Sequence, residues 1–313
     1  MKDLTPLFVM EWSASLYKRL QMSHDVSNKQ NIKIKERQTV NNNNSKGKVT
    51  VLGIDLAKNS FQLHGVDEQG NRVLKKKLTR KQLVAFIAQL PPCLIGLEAC
   101  GGAHHWVRVF SELGQTVKMI APQFVKPYVK SNKNDAVDAE AICEAVQRPS
   151  MRFVPSKSIE QQDIQSVHRV RSLLVGRRTA QANQIRGLLM EYGIVIPQGI
   201  NQLRKAIPDI LEDAENSLSS YFRELLRELY EEIVHFDERI ETIELKLKVI
   251  SEQNEDCKRL LTIPGVGLLT ATALIAAIGD ISVFKSGREL AAWIGLVPRQ
   301  HSTGGKPTLL GIS

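Results

Sequence analysis

The alternation of apolar and polar positions separates the chain into a part that alternates strands with helices and a part that is helical. Residues 1–48 are polar and end in "NNNNSKGK", so they bury no core and we expect a disordered extension. The β-branched run "VTVLGID" that follows is typical of a buried strand. We therefore expect the folded sequence to begin at residue 49.

Residues 49–157 carry the pattern of a mixed sheet. After the first strand, "SFQLHGVD", the turn "EQGN" and "RVLKKKL" predict a hairpin. Next come a helix at 79–90, the apolar strand "PCLIGLEA", the helix "HHWVRVFSELG" and the strand "QTVKMIA". A short basic helix then leads to a helix at Asp135. Three antiparallel strands followed by alternating helix and strand predict an α/β domain of ribonuclease-H-like strand order, with no strands after about residue 158.

Residues 158–254 are predicted to be helical. A basic helix covers 159–191 and ends at Gly193 and Pro197, and a second helix covers about 215–253. The apolar residues of the second helix recur every three or four positions: Leu218, Phe222, Leu225, Leu229, Ile233, Phe236, Ile240, Ile243, Leu247 and Ile250. This spacing favours a coiled-coil seam, within a helical hairpin or between two chains, over a helix packed on its own domain.

The last region, residues 255–313, is predicted to be mostly helical. Its segment "LLTIPGVGLLTATALIAAIGD" predicts two apolar helices around a glycine-rich turn, as in a helix–hairpin–helix element. In such an element Gly265 and Gly267 would open backbone N–H groups to a phosphate. An ordinary tight turn between helices fits these residues equally well. The composition of "RQHSTGGK", residues 299–306, is typical of a surface loop.

Four acidic residues fall where a sheet of this order would gather them. Asp55 ends the first strand, Glu98 ends the strand "CLIGLE", and Asp135 and Asp138 share one face of the next helix. Strand ends in the middle of an open α/β sheet face the same crevice. Carboxylates gathered there repel one another without a cation, and their oxygen atoms suit Mg²⁺ or Mn²⁺. Each acid alone also fits a turn or a helix cap, but the ordered set favours a metal site.

The charge distribution indicates a polyanionic partner. Lys plus Arg number 42 against 33 acids, which gives a net charge of +9. Two acid-free runs supply candidate phosphate contacts: Lys126, Lys130 and Lys133 before the Asp135 helix, and Arg169, Arg171, Arg177, Arg178 and Arg186 in the basic helix. Solvated helix faces are the alternative for both runs. For two of the five arginines, stems packed on the sheet domain are a further alternative.

Several classes of protein are disfavoured. No apolar run approaches the roughly 18 residues that span a membrane. The segment "GGAHHW" lacks the spacing of a dinucleotide-binding loop, and His104 and His105 are expected at a helix start rather than in a metal site. The four cysteines show no zinc-ligand spacing, and no secretory leader precedes them. We therefore expect free thiols, no membrane and a cytoplasmic location.

Four motifs together resemble the DEDD transposases of the insertion sequence 110 family, in particular its 1111 subgroup. They are "GIDLAKNSFQLHGVD", "GLEACGGAHHWVRVFSELG", "KSNKNDAVDAEAI" and "ELAAWIGLVPRQHSTGGK", and the resemblance covers about residues 49–313. It implies a RuvC-like nuclease domain at 49–157, a coiled-coil linker at 158–254 and a C-terminal transposase domain at 255–313. It also implies DNA recombination guided by a structured bridge RNA.

The resemblance gives "RQHSTGGK" a catalytic meaning. It implies that Ser302 attacks the scissile phosphate and forms a 5′-phosphoserine intermediate, aided by the acids of another protomer. Arg299, His301 and Lys306 are nearby in sequence, and we expect Arg299 and Lys306 to contact nucleic acid. A site shared between protomers predicts a dimer or tetramer, with the helix 218–250 as its seam. The family continues beyond "GIS" and has a shorter leader, so we expect a chain truncated at its C-terminus.

Two other functions stay open at this point. A RuvC-like, Mg²⁺-dependent endonuclease or junction resolvase would need only the carboxylates, so loss of Ser302 would leave it active. A nucleic-acid-binding remnant would bind but would cleave nothing with Mg²⁺.

Overall fold

The computed structural model describes residues 47–130, 135–279 and 281–312. The extension predicted for 1–48 lies outside the described residues except for its last two positions, and so does Lys133. The described chain forms two compact units, one of Leu173–Gln253 and one of the residues up to Ser172 together with those from Asn254 onward. The domain boundaries drawn from the sequence remain predictions.

A mixed sheet forms the centre of the unit that contains the N-terminal described residues. Its strands within the described chain are β1 (Val51–Asp55), β2 (Ser60–Val66), β3 (Arg72–Thr79), β4 (Leu94–Glu98), β5 (Thr116–Ile120) and β6 (Phe153–Val154). The strand order is β3-β2-β1-β4-β5-β6. Strands β1, β2 and β3 pair antiparallel, while β4 and β5 run parallel to β1. This is the predicted strand order with one addition, since the two-residue strand β6 pairs antiparallel with β5.

Helices cover both faces of this sheet. They are α1 (Arg80–Ala88), α2 (Ala103–Glu112), α3 (Pro122–Val125) with a 3-10 turn at Lys126–Tyr128, and α4 (Asp135–Val146). Side chains of β1 alternate between the faces, so Leu52 and Ile54 enter a core with Leu83 of α1 and Phe110 of α2. The opposite face packs on α4. Burial on both faces explains why the central strands are nearly continuous apolar runs.

Within the described residues, three helices make up the second unit: the later part of α5 (Ile159–Met190), α6 (Ile200–Glu212) and α7 (Ser220–Gln253). The two long helices thus begin and end close to their predicted positions. On α7, Phe222, Leu226 and Ile233 pack in one cluster with residues such as Ile185 of α5 and Leu203 of α6. This part of the predicted seam is therefore filled from within the chain, and the fully buried position is Leu226 where the spacing had pointed to Leu225.

The C-terminal residues begin with two helices, α8 (Glu255–Leu261) and α9 (Leu268–Ile278), joined by the predicted glycine-rich turn. Helix α9 is fixed to the start of α5, where the imidazole Nε2 of His168 lies 2.9 Å from the hydroxyl of Thr272. A 3-10 turn at Ile281–Val283 and the helix α10 (Gly287–Trp293) follow. No helix in the described part of the chain is long and apolar enough to cross a membrane.

A β-hairpin closes the described chain, which corrects two expectations. Strands β7 (Pro298–Thr303) and β8 (Lys306–Ile312) pair antiparallel, so strands do occur after residue 158 and "RQHSTGGK" is not a loop. The reason is the pair Gly304-Gly305, whose φ angles of +59° and +79° form the two-residue turn that matches strand twist.

Candidate active site

Asp55 and Glu98 stand side by side at one edge of the sheet. Strands β1 and β4 are parallel and in register, with Ile54 opposite Leu97, and each strand ends one residue later at its acid. Neighbouring strands lie about 4.8 Å apart, so the two acids begin from adjacent backbone positions. Both are half-buried. The register therefore brings together the two strand carboxylates that the sequence predicted.

Two glycines let α4 lie directly on these strands. Gly53 of β1 is paired in register with Gly96 of β4. A Cβ on Gly53 would press on the carbonyl oxygen of Ala139 and lie 2.5 Å from the backbone nitrogen of Cys143. A Cβ on Gly96 would lie 2.9 Å from the Cβ of Val146. Only glycine leaves room for this contact between helix and sheet.

The same contacts fix the direction of α4. Cys143 lies over the beginning of β1, where its thiol meets the carbonyl oxygen of Val51 at 3.8 Å, and Ala139 lies over Gly53. One helical turn rises about 5.4 Å and two strand residues about 6.6 Å. We therefore expect the start of α4 to run toward Asp55. Asp138 is half-buried there, and the helix begins at Asp135, whose side chain lies outside the described structure.

The pKa of the Cys100 thiol is affected by both strand acids. Cys100 follows Glu98 by two residues, and its thiol contacts the carbonyl oxygen of Gly101 at 3.7 Å. Burial raises the pKa of this thiol, and the negative charges of Glu98 and Asp55 raise it further. Both carboxylates therefore lie close enough to act on the Cys100 thiol.

The donor chemistry of this edge fits a hard divalent cation. Carboxylate oxygens are the ligands that Mg²⁺ and Mn²⁺ accept. Among the described side chains, however, no group of three or more His, Cys, Asp or Glu is gathered closely enough to hold a metal ion. Two strand acids and a helix acid on one edge are what the described residues provide.

The lysines before α4 differ in their surroundings. Lys130 forms ion pairs with Glu144 at 2.9 Å and Glu140 at 3.7 Å, both on α4. The hydrogen bond with Glu144 is the main cause of a raised pKa for Lys130. Lys126 is exposed at the 3-10 turn. Lys130 thus neutralises α4 acids, whereas Lys126 faces solvent.

Ser302 is exposed in the hairpin. Its hydroxyl accepts a hydrogen bond of 3.1 Å from the side-chain amide of Gln300, its neighbour on the same strand face. Residues one apart on a strand point to opposite faces, so His301 does not share the face of Ser302. Lys306 pairs with Thr303 and lies on that other face as well. The side chain of Arg299 lies outside the described structure. In the described contacts, nothing joins Ser302 to the carboxylate edge.

The arginines of α5 divide into two groups. Arg178 bonds to Asp237 of α7 at 2.6 Å, and Arg186 donates to the carbonyl oxygen of Gly199 at 2.7 Å. These two guanidinium groups hold the helical unit together, and their partners lie in that unit rather than in the sheet domain. Arg169 and Arg177 are exposed and Arg171 is half-buried. Phosphate contact by these three residues stays a prediction.

The turn between α8 and α9 is open to solvent. Gly265 has a φ of +87°, a conformation that favours glycine, and Gly267 precedes the first turn of α9. A Cβ at either position would meet no atom within 4 Å. The geometry leaves the backbone accessible, as the phosphate interpretation of this turn requires.

Sequence reasoning passed over the glycines that seat α4. The signal is present, because "GID" and "GLE" repeat the order glycine, apolar residue, acid at the ends of two strands. His104 has a structural contact in which its Nδ1 accepts the backbone N–H of Lys157 at 3.1 Å. This contact agrees with the expectation that His104 belongs to a helix start.

Comparison with known proteins gives consistent matches over most of the chain. Two family models match, one described as "Transposase" over residues 52–194 and one described as "Transposase IS116/IS110/IS902 family" over residues 257–313. The chain is 50% identical to a probable family 20 transposase of Pseudomonas aeruginosa, over 84% of this chain and 78% of the relative. It is 48% identical to the transposase for insertion sequence element IS1111A of Coxiella burnetii, over 85% and 73%. It is 47% identical to the transposase for insertion sequence element IS1328 of Yersinia enterocolitica, over 85% and 78%.

Proposed function

The chain belongs to the IS116/IS110/IS902 family of transposases, and from this premise we propose that it cleaves and rejoins DNA with Ser302 and the carboxylates of the sheet edge. DNA transposition is the activity of the family as its members are named. We further propose which residues act in the reaction and in which order the bonds form and break. The observation that carries it is the register of β1 and β4, which ends both strands at an acid, Asp55 and Glu98.

The acids would hold a divalent cation beside the scissile phosphate. Asp55, Glu98 and Asp138, with Asp135 at the helix start, are the residues that would hold Mg²⁺ or Mn²⁺, which stabilises charge on phosphate oxygens when bound. The buried strands and the tight contact of α4 on Gly53 keep these acids in fixed positions. A fixed backbone limits how far these acids must move to meet a cation.

Ser302 supplies the nucleophile in this proposal. Its Oγ forms a bond to phosphorus, the bond from phosphorus to the 3′ oxygen breaks, and the serine proton leaves to solvent while the 3′ oxygen takes one up. The product is a 5′-phosphoserine. A 3′-hydroxyl of a second strand then attacks the phosphoserine, so that Ser302 regains its hydroxyl and the strands are exchanged. The amide of Gln300 donates to Oγ and orients it.

We propose that the serine and the acids of one reaction come from two copies of the chain. The exposure of the hairpin on both described faces supports this arrangement, since the hairpin is accessible to a second molecule. A structured RNA from the element selects the DNA. Lys126, Arg169 and Arg177, which are exposed, with Arg299, Lys306 and the Gly265–Gly267 turn, contact the phosphates of these nucleic acids.

A denaturing gel tests the proposal directly. Purified protein, RNA from the flanks of its element, Mg²⁺ and labelled junction DNA should yield a covalent protein–DNA adduct. Ser302→Ala and Asp138→Ala should each abolish the adduct, and mixing the two variants should restore it if the site is shared between copies. Thr303→Val is the matched control, because this neighbouring hydroxyl lies on the other strand face. An adduct that persists in Ser302→Ala and disappears in Thr303→Val would assign the nucleophile to Thr303.

A second candidate function uses the acids alone. The register that places Asp55 and Glu98 on neighbouring strand ends supports a divalent-metal endonuclease or junction resolvase as well, since neither needs Ser302. This function predicts free cleavage products that survive Ser302→Ala and vanish with Asp138→Ala. Binding without either product would identify a protein that only binds nucleic acid.

A further inference from the structure

The strand at the edge of the sheet carries a dense run of positive charge to which no role has been given so far. Between Glu68 and Glu98 the sequence contains no acid and six cations: Arg72, Lys75, Lys76, Lys77, Arg80 and Lys81. All six are exposed. Strand β3 is the outermost strand beside β2, so these side chains border one side of the sheet.

Strand register places two of these lysines on the face that carries the candidate site. Lys77 is opposite Gln62, which is opposite Asp55, so the three form one row across β3, β2 and β1. Residues directly opposite one another share a sheet face. In the next row, Lys75 is opposite His64, which is opposite Gly53, the glycine beneath α4. Lys75 and Lys77 therefore lie on the α4 face.

Lys76, the cation between them, lies on the opposite sheet face and contacts an aromatic ring. The ammonium of Lys76 lies 4.7 Å from the centre of the Phe86 ring of α1. The guanidinium of Arg80 lies 4.9 Å from the centre of the Trp106 ring of α2. Cations over aromatic faces are attracted by the ring, so these two charges contribute to packing within the chain.

Lys75 and Lys77 are not compensated in this way. Within the part of the chain that the structure describes, neither forms an ion pair, while the α4 acids Glu140 and Glu144 are paired with Lys130. The positive charges of this region affect the pKa of His64. Its pKa is lowered mainly by burial and further by Arg72, Lys75 and Lys130, against the opposing charge of Glu140.

We propose that Lys75 and Lys77 form a phosphate-binding track that holds a DNA strand beside the carboxylate edge. Two strand spacings separate Lys77 from Asp55 at the backbone, about 10 Å, and two residues along β3 separate the lysines by about 6.6 Å. Flexible ammonium groups at such positions act as point charges on successive phosphates and carry no sequence preference. The inference rests on the proposed function in one respect, that DNA is processed at this edge.

Lysines on an edge strand have another common use. They prevent edge-to-edge association of sheets, and any lysine on the strand serves that purpose regardless of the face it occupies. The two roles therefore differ in one consequence. Edge protection predicts that replacing Lys76 or either neighbour has the same effect on association between sheets. DNA binding by a phosphate track, in contrast, depends on Lys75 and Lys77 alone.

The salt dependence of DNA binding separates these roles. The full-length Asp138→Ala protein, without divalent metal, is titrated with labelled DNA over a series of NaCl concentrations, so that no cleavage is needed. Addition of Lys75→Gln and Lys77→Gln should reduce the magnitude of the log K against log salt slope by about 1.4 for single strands or about 1.8 for duplex. Lys76→Gln is the matched control and should leave the slope unchanged.

Arginine variants separate the loss of charge from a loss of folding. Lys75→Arg with Lys77→Arg should restore the slope, which shows that charge and not folding was lost. An unchanged slope in the double glutamine variant, an equal change with Lys76→Gln, or a reduced slope for RNA but not for DNA would each overturn the proposal. If the wild-type protein forms the covalent adduct while the slope is unchanged, the track alone is wrong and the proposed function stands.

Discussion

The carboxylate edge and the serine hairpin belong to the same compact unit but are held in different ways. Asp55 and Glu98 end two adjacent strands whose central residues are fully buried, and α4 is pressed against those strands at Gly53 and Gly96. The hairpin β7–β8 is exposed along all its described side chains, and Ser302 has one described side-chain partner, Gln300.

The two regions differ in how firmly each can hold its side chains before substrate binds. A buried sheet resists displacement, so the acids keep their positions before any substrate arrives. An exposed hairpin gains its final position from what it binds. We therefore expect substitutions at the sheet edge to affect stability and activity together, and substitutions in the hairpin to affect activity with little change in stability.

The largest effect is expected from Gly53→Ala. The added methyl group would press on the backbone of α4 at Ala139 and Cys143, which cannot rotate away. Overpacking of this kind costs about 3 kcal/mol of unfolding free energy and displaces the helix that carries Asp138. Urea unfolding and the adduct gel measure the two consequences. Gly101→Ala is the control, since a Cβ there meets no atom within 4 Å. Equal stability of the two variants would contradict the close contact of α4.

Gln115→Ala is expected to have the next largest effect, because it weakens the sheet away from the acids. The Gln115 side chain is buried and accepts the backbone N–H of Cys93 at 2.9 Å, while its amide donates to the carbonyl oxygen of Leu90 at 3.3 Å. Leaving these groups unpaired costs about 2 kcal/mol. Thermal unfolding checks the stability, and adduct formation at low temperature should persist. Loss of the adduct in folded protein would mean that the edge is not fixed by the local α4 contact.

Gly305→Ala tests the hairpin with a smaller change in stability. Its φ of +79° disfavours a residue with a Cβ, by about 1 kcal/mol. The turn would loosen and Ser302 would lose its register opposite Pro307. We expect a thermal unfolding midpoint close to that of the wild type and a clear loss of adduct. Gly311→Ala, in the same hairpin without a positive φ, is the control. A large drop in the midpoint would show that the hairpin is part of the packed core.

The sequence predicted the sheet well because each of its central strands is a short apolar run with turn residues at both ends. The four acids followed from that order, since strand ends have defined places in a sheet. The role of Gly53 and Gly96 did not follow, because a glycine in a strand does not tell which helix lies on it. The faces of Lys75, Lys76 and Lys77 likewise depend on register, which three identical residues leave open.

The C-terminal hairpin and the seam of α7 show two other features that the sequence pattern could not predict. Strand β7 alternates no apolar residues around Ser302, so composition alone favoured a loop. On α7 the spacing predicted which residues are apolar neighbours, and Phe222 and Ile233 are indeed buried. Spacing does not name the partner, and here α5 and α6 of the same chain fill that part of the seam.

The smallest effect concerns pH and again separates the sheet from the hairpin. His64 is buried in β2, beside Gly53 in the register, with its Nδ1 3.9 Å from Glu140. Burial lowers its pKa, and Arg72, Lys75 and Lys130 lower it further. The unfolded chain therefore binds a proton at His64 at higher pH than the folded chain does. Its stabilising contribution is present above about pH 6.5 and is lost as pH falls below that value.

His64→Gln should flatten the fall in unfolding free energy between about pH 7 and pH 5, the interval that begins near the ordinary histidine pKa. Urea unfolding at several pH values measures this slope. His301→Gln in the exposed hairpin is the matched comparison, because the His301 side chain is exposed whereas His64 is buried. If both variants flatten the slope equally, burial of His64 is not the cause of the pH dependence. If only His64→Gln does so, the slope comes from the buried position in β2, next to the strand that ends at Asp55.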